Sequence, residues 1–305
     1  MKIHVLAHSL KNIAERNGLS LLDLPRFIKE LGFEGMEVSD RQLAGRDEEW
    51  LNRLRNECRD HHCELIVDIN VDFTTADTVM LTEEIEHAKS ILRIAASLKT
   101  HHVRICIGGQ RFTVQKFFRK KRGTAAPAEE KITHPKSGKI QIEKLLMLFG
   151  HIVRKSMSAR VSDVQGKLKR AVHSLQEIMP TASEHGIRIG IENHWGLSGD
   201  PQNIISIINR VGSANLGTCP DMGNFPRGID PLASLKMLAP FTVILHAKSY
   251  SFRKDGEEKN IHYQKILTLF HESGFNGPIT VEYEGMADDL QGCCLTRELI
   301  LRHWK

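Results

Sequence analysis

The chain has 305 residues, 41% of them hydrophobic, with a formal net charge of +5 and six cysteines, which marks a globular protein large enough for one big domain or two small ones. No stretch approaches the ~18 apolar residues that cross a bilayer, the opening "MKIHVLAHSL" does not resemble a signal peptide, and the cysteines lack zinc-ribbon spacing, so a cytoplasmic protein with reduced thiols is expected. The charge is uneven: Gly108 to Arg160 holds thirteen Lys/Arg against three Asp/Glu, which leaves the rest of the chain acidic.

Short apolar runs alternate with helical stretches. In order they are "KIHVLA", "GMEVS", "ELIVDI", "HVRICIG", "IRIGIE", "NLGTCPD", "FTVILHA" and "ITVEYE", starting near residues 2, 35, 64, 102, 187, 215, 241 and 279. Between them, Leu21, Leu24, Phe27, Ile28 and Leu31, and later Leu168, Val172, Leu175 and Met179, recur at helical spacing and read as core faces. Gly32, Gly186 and Gly274 stand where helices end, at positions that favour left-handed backbone. Eight strand-plus-helix units close a parallel (β/α)8 barrel. The expected fold is therefore α/β, a single TIM-barrel domain over residues 1–305. One gap is too long, with about fifty extra residues between the fourth and fifth strands. This basic insertion, residues 110–160, ends in an amphipathic "IQIEKLLMLFGHIVRKS". Because βα loops lie on the carboxyl face of a barrel, it is expected at the rim of the mouth as a lid, an oligomer contact or a basic landing pad.

The strand ends carry the chemistry. In "RIGIENHWG", residues 188–196, Ile189 and Ile191 alternate with Arg188, Gly190 and Glu192, so Glu192 and His194 leave the strand on one face. The sixth strand ends on Asp221, the seventh on His246, and the eighth carries Glu282. Four consecutive strands thus present one metal-competent side chain each at the end where a barrel builds its active site. Three carboxylates and one imidazole make a hard, mostly oxygen site for one divalent ion, Mn2+ first, with Mg2+, Co2+ or Zn2+ as alternatives.

"GIENH", "CPDMGNF", "LHAKS" and "GPITVEYEG" resemble the signature segments of the xylose-isomerase-like sugar isomerase/epimerase superfamily. That group includes tagatose 3-epimerase-like enzymes, inosose dehydratases and family 2 AP endonucleases. The resemblance spans nearly the whole chain outside the insertion and is most specific over 187–285. It implies a single ion held by Glu192, Asp221, His246 and Glu282. In the epimerases it also implies catalytic proton transfer by Glu192 and Glu282 on opposite faces of the sugar. Removing a proton next to a carbonyl builds negative charge on oxygen, which a ligated metal stabilises as an enediolate, while a carboxylate on each face serves as base and acid. The implied function is metal-dependent isomerisation or epimerisation of a sugar or sugar phosphate. A dehydratase or lyase acting on a keto-sugar or keto-inositol shares the first step, and His194 as proton donor favours that alternative.

Other residues complete the expected pocket. His194 and Lys248 are candidates for substrate oxygens, and Glu284 shares the face of Glu282. His8 and Glu37 fall near the ends of the first two strands and read equally as sugar contacts or loop closures. Trp195 and Phe225 read as an apolar wall or as core. Asn224 stands where many superfamily members carry a histidine; an amide binds a sugar hydroxyl but cannot shuttle a proton. His61–His62 and His101–His102 precede strands and belong to the opposite end of the barrel. The AP endonucleases assemble three metals with extra histidines on strands three and four and an Asp-x-His after strand seven, whereas this chain offers "IVDIN", "ICIGG" and Asn260-Ile261-His262. The expected partner is a small-molecule sugar, neutral or anionic, with no membrane. Nucleic acid ranks behind it, resting on "KFFRKKR" at 116–122 and its interleaved Phe112, Phe117 and Phe118. A homo-oligomer contact is a further use for the insertion.

Overall fold

All eight apolar runs form strands: β1 (Lys2–Leu6), β2 (Gly35–Ser39), β3 (Glu64–Asn70), β4 (His102–Cys106), β5 (Arg188–Glu192), β6 (Leu216–Cys219), β7 (Leu245–Ser249) and β8 (Pro278–Tyr283). The computed structural model describes the backbone of residues 1–108 and 142–305 and the side chains of 1–108 and 163–305. The basic run 116–122 and the rest of 110–141 lie outside the described residues. Every strand pairing is parallel, in the order β6-β5-β4-β3-β2-β1-β8-β7. The ring closes between β6 and β7 through two short parallel bridges, Thr218 with Thr242 and Asp221 with His246. There Val243 N donates to Thr218 O and His246 N to Pro220 O, each at 2.8 Å. This closing seam sets two expected metal ligands side by side. The regular part of β7 starts at Leu245 instead of near 241, because Ala239–Phe241 is a 3-10 turn containing Pro240, which has no N–H to give a ladder.

The helices are α1 (Lys11–Arg16), α2 (Leu24–Glu30), α3 (Asp40–Leu43), α4 (Glu48–Asp60), α5 (Thr78–Ser97), α6 (Ile142–Glu184), α7 (Pro201–Val211), α8 (Pro231–Leu238), α9 (Tyr263–Glu272) and α10 (Asp289–His303). The result is a (β/α)8 barrel. Among the described residues, aspartate starts five of the helices: Asp47, Asp77, Asp200, Asp230 and Asp288 each accept a backbone N–H from the first turn, a cap that contributes ~1 kcal/mol. At the far ends, Gly32, Gly186 and Gly274 take φ of 81°, 65° and 76°, as the helix-to-strand joints require. The tail of the insertion and the fifth barrel helix are one element, since α6 runs for 43 residues. Among the described residues, no helix is long and apolar enough to cross a membrane.

The main core lies between sheet and helices. Ile3, Val5, Val67, Ile69, Val103, Ile105, Ile189 and Ile191 face it from the strands, and Leu168, Val172, Leu175 and Met179 meet them from α6. Leu24 and Ile28 are buried on α2, with Leu21, Phe27 and Leu31 packed against the core at its edge. The alternate, inward-facing strand positions carry mostly polar and charged side chains, broken by a separate apolar cluster of Ile66, Cys219, Val243 and Ile244. That inversion places the chemistry inside the barrel.

Candidate metal centre

Glu192 ends β5, Asp221 lies two residues beyond β6, His246 is in β7 and Glu282 in β8. One ligand atom from each lies within 4.8 Å of all the others, and all four residues are buried; among the described residues this is the one such group. His246 Nδ1 faces the carboxylates, 2.8 Å from Glu282 Oε2, 3.9 Å from Glu192 Oε1 and 4.0 Å from Asp221 Oδ2. Its Nε2 lies 2.9 Å from Glu37 Oε2. A carboxylate on the far nitrogen fixes the tautomer and aim of a ligating imidazole.

Asp221 is clamped from the backbone outward. Its N–H donates to Asn193 Oδ1 at 2.6 Å, and Asn193 Nδ2 donates to its carbonyl at 3.0 Å. Its Oδ1 accepts from the N–H groups of Gly223 and Asn224, at 2.6 and 2.9 Å. Oδ2 is buried without a hydrogen-bond partner, with Lys248 Nζ 3.6 Å away. Glu192 is held as firmly: Oε2 accepts from Arg104 Nη1 and from the Cys106 thiol, and Oε1 accepts from Asn224 Nδ2 at 3.2 Å. Arg104 also reaches Glu37 Oε1 at 2.5 Å and Asp68 Oδ2 at 2.8 Å.

Five buried carboxylates, Glu37, Asp68, Glu192, Asp221 and Glu282, therefore share two permanent cations, Arg104 and Lys248. The imbalance shows in the titration of the cluster. Burial pushes Asp221 up to about 8, with Lys248 opposing and the charges of Glu282 and Glu192 adding to the rise. Burial lifts Asp68 to about 7 against the pull of Arg104. Glu37 is held at about 2 because His246 and Arg104 overcome its burial. Burial opposes a charge on His246, yet Cys219 and Glu37 draw it well above its ordinary value. A hard donor set, an orphaned carboxylate oxygen and excess buried negative charge all fit a divalent cation.

The mouth above these ligands is a cavity of about 490 Å³ whose lining includes His8, Arg41, Asn70, Arg104, His194 and Trp195. His194 and His8, both singled out in the sequence, thus share this cavity wall. Trp195 is 56% exposed, with its ring 3.6 Å from that of His194. Burial, then Arg104 and Lys248, lower the His194 pKa against the pull of Glu192. Lys248 is 1% exposed; its Nζ donates to Glu282 Oε1 at 2.6 Å and lies 3.2 Å from Glu284 Oε2. Glu284 is half-exposed beside it. Asn224 holds Glu192, and Phe225 packs on the core edge. Glu37, read from sequence as a sugar contact or loop closure, is fully buried beneath the ligands and acts through His246 and Arg104.

Sequence reasoning missed Arg104, Asp68, Cys106 and Asn193. A signal existed: Arg104 and Cys106 share the inward face of "HVRIC", and Asp68 that of "ELIVDIN", so each breaks an otherwise apolar strand.

Fold and site together define a (β/α)8 barrel with a buried, metal-competent centre at the carboxyl ends of β5 to β8. The chain belongs to the xylose isomerase-like TIM barrel family, whose model matches residues 140–300. An uncharacterized protein of Methanocaldococcus jannaschii, MJ1311, is 25% identical over 138 residues, 42% of this chain; the match spans 47% of that relative's length. Among solved structures, D-psicose 3-epimerase with D-tagatose from Clostridium cellulolyticum H10 superposes with a TM-score of 0.68 at 12% identity, covering 100% of both chains. A xylose isomerase-like TIM barrel protein from Mycobacterium smegmatis in complex with magnesium gives 0.62 at 19% identity over 93% of this chain and 87% of its own. The probable 3-DHS dehydratase AsbF of Bacillus anthracis gives 0.63 at 16% identity over 99% and 98%. At these identities the likeness to solved structures is one of fold.

Proposed function

We propose that this protein is a divalent-metal-dependent sugar isomerase or epimerase that moves a proton at a carbon next to a carbonyl. The observation that carries the reading is the convergence of Glu192, Asp221, His246 and Glu282 within 4.8 Å of one another in a buried cluster beneath a cavity of sugar size. These four residues would hold the ion, with Glu37 aiming His246. When bound, the ion supplies Lewis acidity toward a carbonyl and its neighbouring hydroxyl.

The chain's own groups divide the remaining work. Glu192 and Glu282 come from strands on either side of the β6–β7 seam, and they serve as the base and acid for opposite faces of a substrate carbon. Arg104 and Cys106 fix Glu192 in one rotamer, and Lys248 does the same for Glu282. His8, His194 and Arg41 offer donors to hydroxyl or anionic groups in the cavity, and Trp195 offers an apolar face against a sugar ring.

The test is incubation with Mn2+ or Mg2+ and a panel of ketoses in deuterated water. One deuterium at a carbon beside the carbonyl, with no loss of mass, is expected, and EDTA, Glu192→Gln and Glu282→Gln should each abolish it. Release of water or an aglycone would move the assignment to a lyase. No exchange with any keto-sugar would refute both.

A further inference from the structure

The amino ends of the strands open into a second cavity of about 730 Å³, at the opposite end of the barrel from the metal centre. Lys2, Arg55, Arg59 and Lys99 line it against a single carboxylate, Glu64. Part of this charge is committed: Lys2 pairs with Glu64, Arg59 with Asp60, and Arg55 donates to Ser97 O at 3.1 Å. The Lys99 ammonium makes no hydrogen bond or ion pair among the described residues. His4, His62, His101 and His102 complete the polar wall.

Two independent features mark the cavity as built. The first is the backbone. His62 and Lys99, at φ of 50° and 62°, are the only non-glycine residues of the described chain in the left-handed region. They follow α4 and α5 at the joints where Gly32, Gly186 and Gly274 follow other helices. A side chain there meets a steric penalty that glycine avoids, and both of these positions line the same cavity. A basic residue near a helix carboxyl terminus complements the dipole, but it does so equally from ordinary backbone one residue earlier.

The second feature is His4. It is 1% exposed, it lines the cavity, and neither of its ring nitrogens has a hydrogen-bond partner. Glu64 Oε2 stands 3.6 Å from Nε2, at ion-pair distance, whereas Nδ1 has no partner. A buried imidazole in a cavity wall with Nδ1 unmet leaves a polar atom for a ligand in the cavity to satisfy. Burial, then Arg188, His4 and His101, hold His102 down to about 4, so its ring is neutral and offers an oxyanion a hydrogen bond instead of a charge.

We infer that the amino-terminal mouth of the barrel is a second binding site, for a small doubly charged oxyanion of the phosphoryl or dicarboxylate kind. His4 and His102 form its floor, and Lys99, His62 and Arg55 form its rim. The inference does not depend on the metal centre, because different layers of the same strands build the two sites.

Purified full-length protein should be titrated with inorganic phosphate and, separately, with succinate, at constant ionic strength. Binding is read from the imidazole C–H resonances, with those of His4 and His102 assigned by His4→Asn and His102→Asn. Saturable shifts of these resonances are expected with at least one anion, and the anion that produces them assigns the phosphoryl or carboxylate class. The double variant Lys99→Gly/His62→Gly relieves backbone strain, so it should fold at least as well as the parent and bind at least tenfold more weakly. Arg41→Gln at the other mouth should leave the titration unchanged. No saturable shift with either anion, undiminished binding in the double glycine variant, or loss of binding in Arg41→Gln would each overturn the inference.

Discussion

Arg104 bridges three buried carboxylates, those of Glu37, Asp68 and Glu192. Substituting Arg104→Met keeps most of the side-chain volume and removes the charge. Lys248, engaged with Glu282, is then the remaining permanent cation in the cluster. Breaking a buried ion pair from one side costs about 3–5 kcal/mol, which for a chain of this size lowers Tm by about 5–8 °C. The penalty must also depend on pH with a definite sign. In the parent, Glu37 is depressed to about 2, so its contribution is complete above the ordinary glutamate range and is lost as pH falls through 2. Without Arg104 the carboxylates retain protons to higher pH. The native state then binds more protons than the unfolded chain, and stability falls as pH rises. The deficit relative to the parent, measured by urea unfolding in EDTA, should be larger at pH 8 than at pH 5.5. A deficit below ~1 kcal/mol, or one equal at both pH values, would show that Arg104 is not the compensating charge.

Three further outcomes follow from the same cluster. Mn2+ at a hundredfold excess over its Kd should stabilise the parent by about 2.7 kcal/mol in a thermal-unfolding assay, and Asp221→Asn should show no stabilisation. Glu37→Gln leaves all four ligands in place but loosens His246, so calorimetry should find metal affinity about 10–100-fold weaker. Asp221, raised to about 8, and His246, raised above its usual value, must both shed protons before they can ligate. Metal affinity should therefore climb between pH 6 and pH 8, by up to about tenfold per pH unit for each proton released; a flat profile in competition titrations would contradict this.

The fold was legible because its signals are local. Eight apolar runs of strand length, and glycines at the helix-to-strand joints, survive in the sequence without any knowledge of partners. The grouping of Glu192, Asp221, His246 and Glu282 was legible for a related reason: a barrel fixes where strand ends point, so register alone brings the four together. The support beneath them was not. Whether Glu37 meets a sugar or an imidazole depends on the stagger between β2 and β7, which are not neighbours in the sheet. Arg104 resembles a solvent-facing residue until the closure of the ring shows that its face has no solvent. The seam itself was also hidden, since the Asp221–His246 bridge lies beyond the end of β6.

The division of labour between the two faces of the sheet explains how one barrel tolerates so much buried charge. Cohesion comes from the outer layer, where aliphatic side chains of strands and helices form one continuous core and remove apolar area from water at roughly 25 cal/mol per Å². The inner layer is free to be unfavourable. Alternation along β3 puts Glu64 in the lower mouth, Ile66 in the apolar cluster and Asp68 in the ionic cluster. The same logic along β4 gives His102 below and Arg104 and Cys106 above. Ile66, Cys219, Val243 and Ile244 thus sit between a cationic lower mouth and an anionic upper one. That apolar layer separates the two charged ends along the same few strands, so a cation held above and the anion inferred below would each meet the opposite charge.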